Sequence, residues 1–221
     1  MTYTHLLFDH DGVLVNTEPL YLQAIQEQLL PLGVELHEAQ YIKNMAVGAD
    51  PWALAREAGC DEPTIDQLRG ARDARYQHLL QSRPIQIEGV ESAVSQLAQR
   101  FTLAIVTTSR DADFDLIHGL NGAPVSPRTP DVARHMDLIL KRSHYRQSKP
   151  HPEPYLLALS RLGIEASQAL VIEDSERGLR AAVAAGIDCA MIDHPFTAAQ
   201  SFDKARYRFA DLAALADFLL E

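Results

Sequence analysis

The chain is short of cysteine. Cys60 and Cys189 lie far apart, form no C-x-x-C pair and are too few for a secreted disulfide framework, so a reducing, cytoplasmic setting is expected. Basic residues are scarce too: 20 Lys and Arg stand against 30 Asp and Glu, a net charge of −10. That balance argues against a nucleic-acid partner, because binding a phosphate backbone depends on neutralising it with Lys and Arg. The opening MTYTHLLFDHDG has no basic segment followed by a long apolar one, and Asp9 stops its apolar run within a few residues. Neither a removable leader nor a membrane partner is therefore expected. Phosphate loops of the Gly-Lys-Ser type, G-x-G-x-x-G turns, internal repeats and low-complexity tracts are missing as well.

What is present suffices for a packed core. With 221 residues, 47% of them hydrophobic, about 70% of the unfolded surface can be buried without a covalent staple. Nearly continuous apolar runs at 4–9, 102–108, 136–140, 169–174 and 188–193 read as strands buried on both faces. Helical patterns separate them: VESAVSQLAQ, PYLLALSRLG ending at Gly163, RGLRAAVAAG ending at Gly186, and DLAALADFLL with Asp211 as N-cap. This alternation predicts an α/β fold, a Rossmann-like parallel sheet. Residues 17–84 carry helical patterns and no convincing strand. They include a helix capped by Thr17 and others over PWALAREAG and from Ile65 to Leu80. The expected organisation is an α/β catalytic core of residues 1–16 and 85–221, with an inserted α-helical cap over 17–84. The Gly- and Pro-rich stretch 119–135 is too long for a simple connection and reads as a functional or a mobile loop.

In open parallel sheets, ligands bind beyond the carboxyl ends of the strands. The first strand ends in Asp9 and Asp11, with Gly12 allowing a sharp turn; the second ends in Thr107, Thr108 and Ser109; the fourth ends in Glu173 and Asp174. Four acidic groups on one edge repel unless a divalent cation sits among them, and hard carboxylate oxygens suit magnesium. The hydroxyls and N–H groups of 107–109 offer donors to a phosphoryl group, and Lys149 supplies positive charge. Taken singly, an Asp-x-Asp pair is usually a turn, an adjacent Glu-Asp an N-cap, and a Lys-Pro a loop. Their order at strand ends is what points to phosphoryl transfer.

FDHDGVLVNTEPLY, IVTTS, Lys149-Pro150-x-Pro152 and VIEDSERG resemble, in order, the four motifs of the haloacid dehalogenase-like superfamily. The group resembled has a helical cap after the first motif, as in phosphoglycolate phosphatase and β-phosphoglucomutase-like phosphatases. The resemblance implies that Asp9 is the nucleophile and a magnesium ligand. It implies that Asp11 is general acid, then base, and binds metal through its backbone carbonyl. Thr107 and Lys149 would hold the phosphoryl group, and Asp174, helped by Glu173, the metal. The activity implied is magnesium-dependent hydrolysis of a small phosphate ester, such as a sugar phosphate, by a monomer or homodimer. The alternatives are a sugar phosphomutase, against which Tyr21 counts because related mutases carry His there, and a non-catalytic phosphoacceptor module. Asn16 replaces a common Asp and Ser148 a frequent Gly. His10 alternates to the far side of the strand end and reads as structural. The basic run 141–151 is either a grip on a second acidic group of the substrate, through Arg142, His144 or Arg146, or a solvated loop. Arg110 has the same two readings. The stretch 43–50 lies where capped relatives place a specificity loop.

Overall fold

A computed structural model describes residues 3–46, 48–122 and 129–221. Six parallel strands, β1 (His5–Phe8), β2 (Thr102–Val106), β3 (Leu138–Leu140), β4 (Ala169–Glu173), β5 (Asp188–Ile192) and β6 (Tyr207–Phe209), form one sheet in the order β3-β2-β1-β4-β5-β6. Strand alternation makes it the middle of three layers. Leu6, Phe8, Leu103, Ile105, Leu170 and Ile172 face α5 (Val90–Leu97) and α9 (Leu212–Leu220). Leu7, Ala104, Val106, Val171, Cys189 and Met191 face α7 (Glu153–Leu162) and α8 (Glu176–Ala184). These side chains are almost fully buried, so both faces need apolar residues, and the strands read as continuous runs.

The five expected strands are present, each shorter than its apolar run; Asp9, Thr107 and Asp174 lie just past their strands, while Glu173 is still in the ladder, paired with Met191. β6 was not expected. It is three residues long, at the sheet edge, and its central Arg208 points out to Asp193 at 2.6 Å. Gly163 closes α7 in the left-handed conformation, and Asp211 caps α9 by accepting from the Ala214 N–H at 2.8 Å.

Among the described residues, the elements between β1 and α5 are helical: α1 (Glu18–Leu29), followed by a 3-10 turn, α2 (Glu38–Ala46), α3 (Ala53–Glu57) and α4 (Glu62–Ser82). α2 takes in the first part of the expected 43–50 loop, and Val47 is outside the described residues. Leu22, Ile25, Leu29, Trp52 and Ile65 form an apolar cluster of their own, joined by Phe196 from beyond β5. The chain leaves and re-enters this region side by side, since Asn16 N–H donates to the Ile85 carbonyl at 2.8 Å and Val15 bridges Gln86. Thr17 stands at the N-cap of α1 without capping it; its hydroxyl is spent on Asp11 instead. α6 (Asp111–His118) follows β2, and positions 123–128 of the expected 119–135 loop lie outside the described residues. Among the described residues no helix is long and apolar enough to cross a membrane.

Leu170 sits fully buried in β4, between β1 and β5. Leu170→Ala should cost about 2–5 kcal/mol in denaturant unfolding; a loss under about 1 kcal/mol would contradict its place in the core.

Candidate active site

The carboxyl ends of β1, β2 and β4 open on a cavity of about 570 Å³ roofed by the inserted helices. Sheet order reverses at β1, which has β2 on one side and β4 on the other, and such a reversal makes a crevice. Asp9 N–H still pairs with the Ile172 carbonyl at 2.8 Å, which sets its side chain at the cavity floor. Gly12 then turns the chain with φ +86°, and a Cβ there would lie 2.3 Å from Asp174 Oδ2. Both the backbone angle and the carboxylate require glycine.

Lys149 is buried at the centre. Its Nζ donates to Asp9 Oδ1 at 2.7 Å, Glu173 Oε1 at 2.7 Å and the Val106 carbonyl at 2.8 Å, which uses all three protons. Burial works against its charge, but Asp9 and Glu173 outweigh it and hold the ammonium protonated above the usual lysine range. Glu173 is sealed from solvent. It also accepts from Tyr155 hydroxyl at 2.9 Å and Ser175 hydroxyl at 2.9 Å; burial raises its pKa, yet Lys149 and these donors win and lower it. A Cβ on Gly178 would fall 1.7 Å from Glu173 Oε1, so the first turn of α8 can pass only as glycine.

Asp9, Glu173 and Asp174 bring carboxylate oxygens within 4.8 Å of one another, against one lysine. The surplus charge shows in the proton affinities. Burial, then Glu173, push Asp9 up to about 6 despite Lys149, and burial, Glu173 and Asp9 push Asp174 well above the carboxylate range. Hard oxygen donors that repel one another fit a magnesium ion, which Asp9 and Asp174 would hold, since Glu173 is committed to its donors. One more observation fits: His194, lowered by burial, has its Nδ1 3.9 Å from Asp174 Oδ2 and without a hydrogen-bond partner.

Asp11 turns the other way, and its side chain is not in that cluster. Thr17 hydroxyl donates to Oδ1 at 2.5 Å, Ser109 hydroxyl donates to Oδ2, and His10 Nδ1 lies 3.3 Å from Oδ2. Burial raises its pKa, but His10 and the two hydroxyls hold it well below the carboxylate range. Thr107 is buried one layer back. Its hydroxyl donates to Ser109 Oγ at 2.8 Å and accepts from the Ser109 N–H at 3.0 Å, while Thr108 and Ser109 line the cavity.

Arg142 alone of the basic run 141–151 lines the cavity, apart from Ser148; His144 Nδ1 accepts from the Lys141 N–H, and Lys141 pairs with Asp115. Arg110 lines it too but is paired with Asp113 and Asp73. Sequence reasoning missed Glu18 and Arg177. Glu18 faces the cavity, holds the Tyr41 hydroxyl at 3.0 Å, and is pushed up to about 7 by burial and Asp11. In sequence it is an ordinary acid in the first turn of α1. Arg177 lies inside the ERG of the fourth motif, where only the acidic pair had drawn attention.

The family model for haloacid dehalogenase-like hydrolases matches residues 6–192. The chain belongs to the haloacid dehalogenase-like hydrolase family. Among relatives of this family, protein CbbY of Rhodobacter capsulatus is 30% identical, over 96% of this chain and 94% of its own. A phosphoglycolate phosphatase of Pectobacterium atrosepticum is 29% identical, over 95% of this chain and 91% of its own. The fold is shared with a crystal structure of a CbbY variant from Rhodobacter sphaeroides in complex with xylulose-1,5-bisphosphate, with a TM-score of 0.78 at 24% identity over 96% of each chain.

Because Asp9 and Asp174 bind protons more tightly when folded than unfolded, metal-free stability should fall as pH rises from about 4 through about 6, by on the order of 3 kcal/mol for Asp9. Magnesium favours the ionised cluster. Thermal unfolding should therefore show a larger magnesium-induced rise at about pH 8 than at about pH 5; equal shifts would speak against these carboxyls as ligands.

Proposed function

We propose that this hydrolase is a magnesium-dependent phosphatase of a small phosphate ester, a sugar phosphate or similar, acting through a phosphoaspartate at Asp9. The observation that carries the reading is the floor of the cavity. The Asp9 carboxylate is oriented there by Lys149 at 2.7 Å, and a second carboxyl, Asp11, stands two residues on among hydroxyl donors. A magnesium ion held by Asp9, Asp174 and the Asp11 carbonyl would neutralise phosphate charge.

Asp9 attacks phosphorus; the ester P–O bond breaks, and the leaving alkoxide takes a proton from Asp11. An arriving phosphate dianion is a like charge to Asp11 and raises its proton affinity, which supplies the acid form. Asp11, then a carboxylate, removes a proton from the water that attacks the acyl phosphate, and inorganic phosphate leaves. Lys149 screens the transferring group, and Thr108, Ser109 and, behind them, Thr107 shape the donors around it. Residues 17–84 act as a cap that closes to exclude stray water. Its contact with α6 combines apolar packing of Ile117 among Leu20, Tyr76, Leu79 and Leu80 with a polar pair, Gln77 donating to Asp113 at 2.9 Å, and Arg110 just before α6 pairs with Asp73.

Burial raises the Tyr21 phenol pKa, so it stays protonated and is no base for returning phosphate to a bound sugar. That favours hydrolysis over a mutase. Two cavity guanidiniums, Arg142 and Arg177, have no carboxylate partner within ion-pair distance among the described residues, whereas Arg72 and Arg110 do. They suit a substrate with a second anionic group, in line with the bisphosphate in the CbbY complex and with phosphoglycolate.

Phosphate release should be measured from sugar phosphates, a sugar bisphosphate, phosphoglycolate, nucleotides and an aryl phosphate. It should require magnesium and vanish in Asp9→Asn, while turnover persisting in that variant would sink the mechanism. Arg142→Ala and Arg177→Ala should each raise KM about tenfold for the doubly anionic substrate and little for the aryl phosphate; equal effects on both would remove the second anion from the reading.

A further inference from the structure

His10 occupies the position between the two aspartates, where strand alternation turns it away from the cavity and under α6. It is fully buried, and its ring packs on Phe114 with centroids 4.8 Å apart. A buried imidazole is costly unless its nitrogens are partnered, and here both are. Nδ1 lies 3.3 Å from Asp11 Oδ2, and Nε2 lies 2.9 Å from Nε2 of His118, the last residue of α6. Gly119, in the left-handed conformation, ends the helix directly behind it.

We propose that His118 fixes the tautomer of His10, and that His10 is thereby a positioning residue whose Nδ1–H pins the Asp11 carboxylate between Thr17 and Ser109. The inference rests on the reading of Asp11 as acid and base. Which ring nitrogen carries the proton is set by what the other nitrogen meets. Burial lowers the His118 pKa, so it is a neutral ring with one N–H. If His118 Nε2 donates to His10 Nε2, the proton of a neutral His10 must sit on Nδ1, facing Asp11. The reverse tautomer would set a lone pair against the carboxylate. Of the two neutral arrangements, only the first both satisfies the shared contact and gives Asp11 a third donor. With Thr17 on Oδ1 and Ser109 and His10 on Oδ2, the carboxyl is held from both ends. A group that gives and takes a proton at a reacting oxygen loses rate steeply when it drifts by about 1 Å.

Steady-state kinetics of His10→Leu, His10→Asn, His10→Gln and His118→Phe, with thermal unfolding of each, test this. The Asn amide reproduces a donor at the Nδ1 place, the Gln amide one at the Nε2 place, and Phe keeps ring packing while removing the tautomer lock. His10→Leu and His10→Gln should lower kcat by about tenfold to a hundredfold with KM nearly unchanged. His10→Asn should recover most of the loss, and His118→Phe should lower kcat about tenfold. Unchanged kcat in a folded His10→Leu, or equal kcat in the Asn and Gln variants, would overturn the proposal. If His10→Leu does not fold, His118→Phe decides, and unchanged kcat there overturns it. Turnover by Asp9→Asn would instead defeat the phosphoaspartate mechanism and leave the cause of failure plain.

Discussion

The ammonium of Lys149, without access to water, meets Asp9, Glu173 and the Val106 carbonyl at once. These partners come from the ends of β1, β4 and β2, so one side chain fastens three strand ends to the loop before α7. Such a cluster is stable only while complete, because removing one partner of a buried ion pair leaves an uncompensated charge worth about 3–5 kcal/mol. The surroundings follow from it. Tyr155 and Ser175 complete the hydrogen bonding of Glu173, and Ser175 also accepts from the Gly178 N–H at 3.2 Å to cap α8. The same serine thus starts a helix and holds an acid.

Close approach of backbone to carboxylate explains two glycines in the motifs. At Gly178 the helix runs over Glu173 with no room for a methyl group, and at Gly12 the turn runs against Asp174. Neither is there for chain flexibility. Each keeps a low-dielectric lid over an acid, which strengthens every charge interaction beneath it. Burial and Glu173 raise the proton affinities of Asp9 and Asp174, while Lys149 and the hydroxyl donors lower that of Glu173.

The sheet was legible because burial on both faces forces uninterrupted apolar runs, as in Leu6 to Phe8 and Leu170 to Ile172. β6 was not, because an edge strand of three residues with Arg208 at its centre has no such run. α2 was obscured because its sequence, EAQYIKNMA, runs directly into the stretch from Lys43 that reads as a loop. The acidic pairs could be placed at strand ends, and Lys149 in the loop before α7, from order alone. The partners that decide their chemistry could not: His118 reaches His10 across 108 positions, and nothing in the local text of α6 marks it. Thr17 illustrates the remaining limit. Its position before Glu18 and Pro19 is that of an N-cap, yet a nearby carboxylate outcompetes the helix for its hydroxyl.

Asp9 and Asp11 are two residues apart, and their surroundings push them in opposite directions. Asp9 is raised to about 6 and Asp11 is held low, whereas the proposed mechanism needs an ionised nucleophile at Asp9 and a protonated acid at Asp11. The two ligands that the cavity suits correct this in opposite senses. A cation beside Asp9 and Asp174 favours their charged forms, while a phosphate dianion beside Asp11 disfavours its charge. On the proposed mechanism, joint binding would therefore invert the order of the two carboxyls and make the acid where the phosphate arrives. The Thr17 and Ser109 hydroxyls permit the inversion, since a hydroxyl that donates to a carboxylate can rotate and accept from a carboxylic acid. A carboxyl held only by fixed N–H donors would resist taking up the proton. Two rotatable donors and one fixed imidazole give Asp11 a position that stays while its protonation changes.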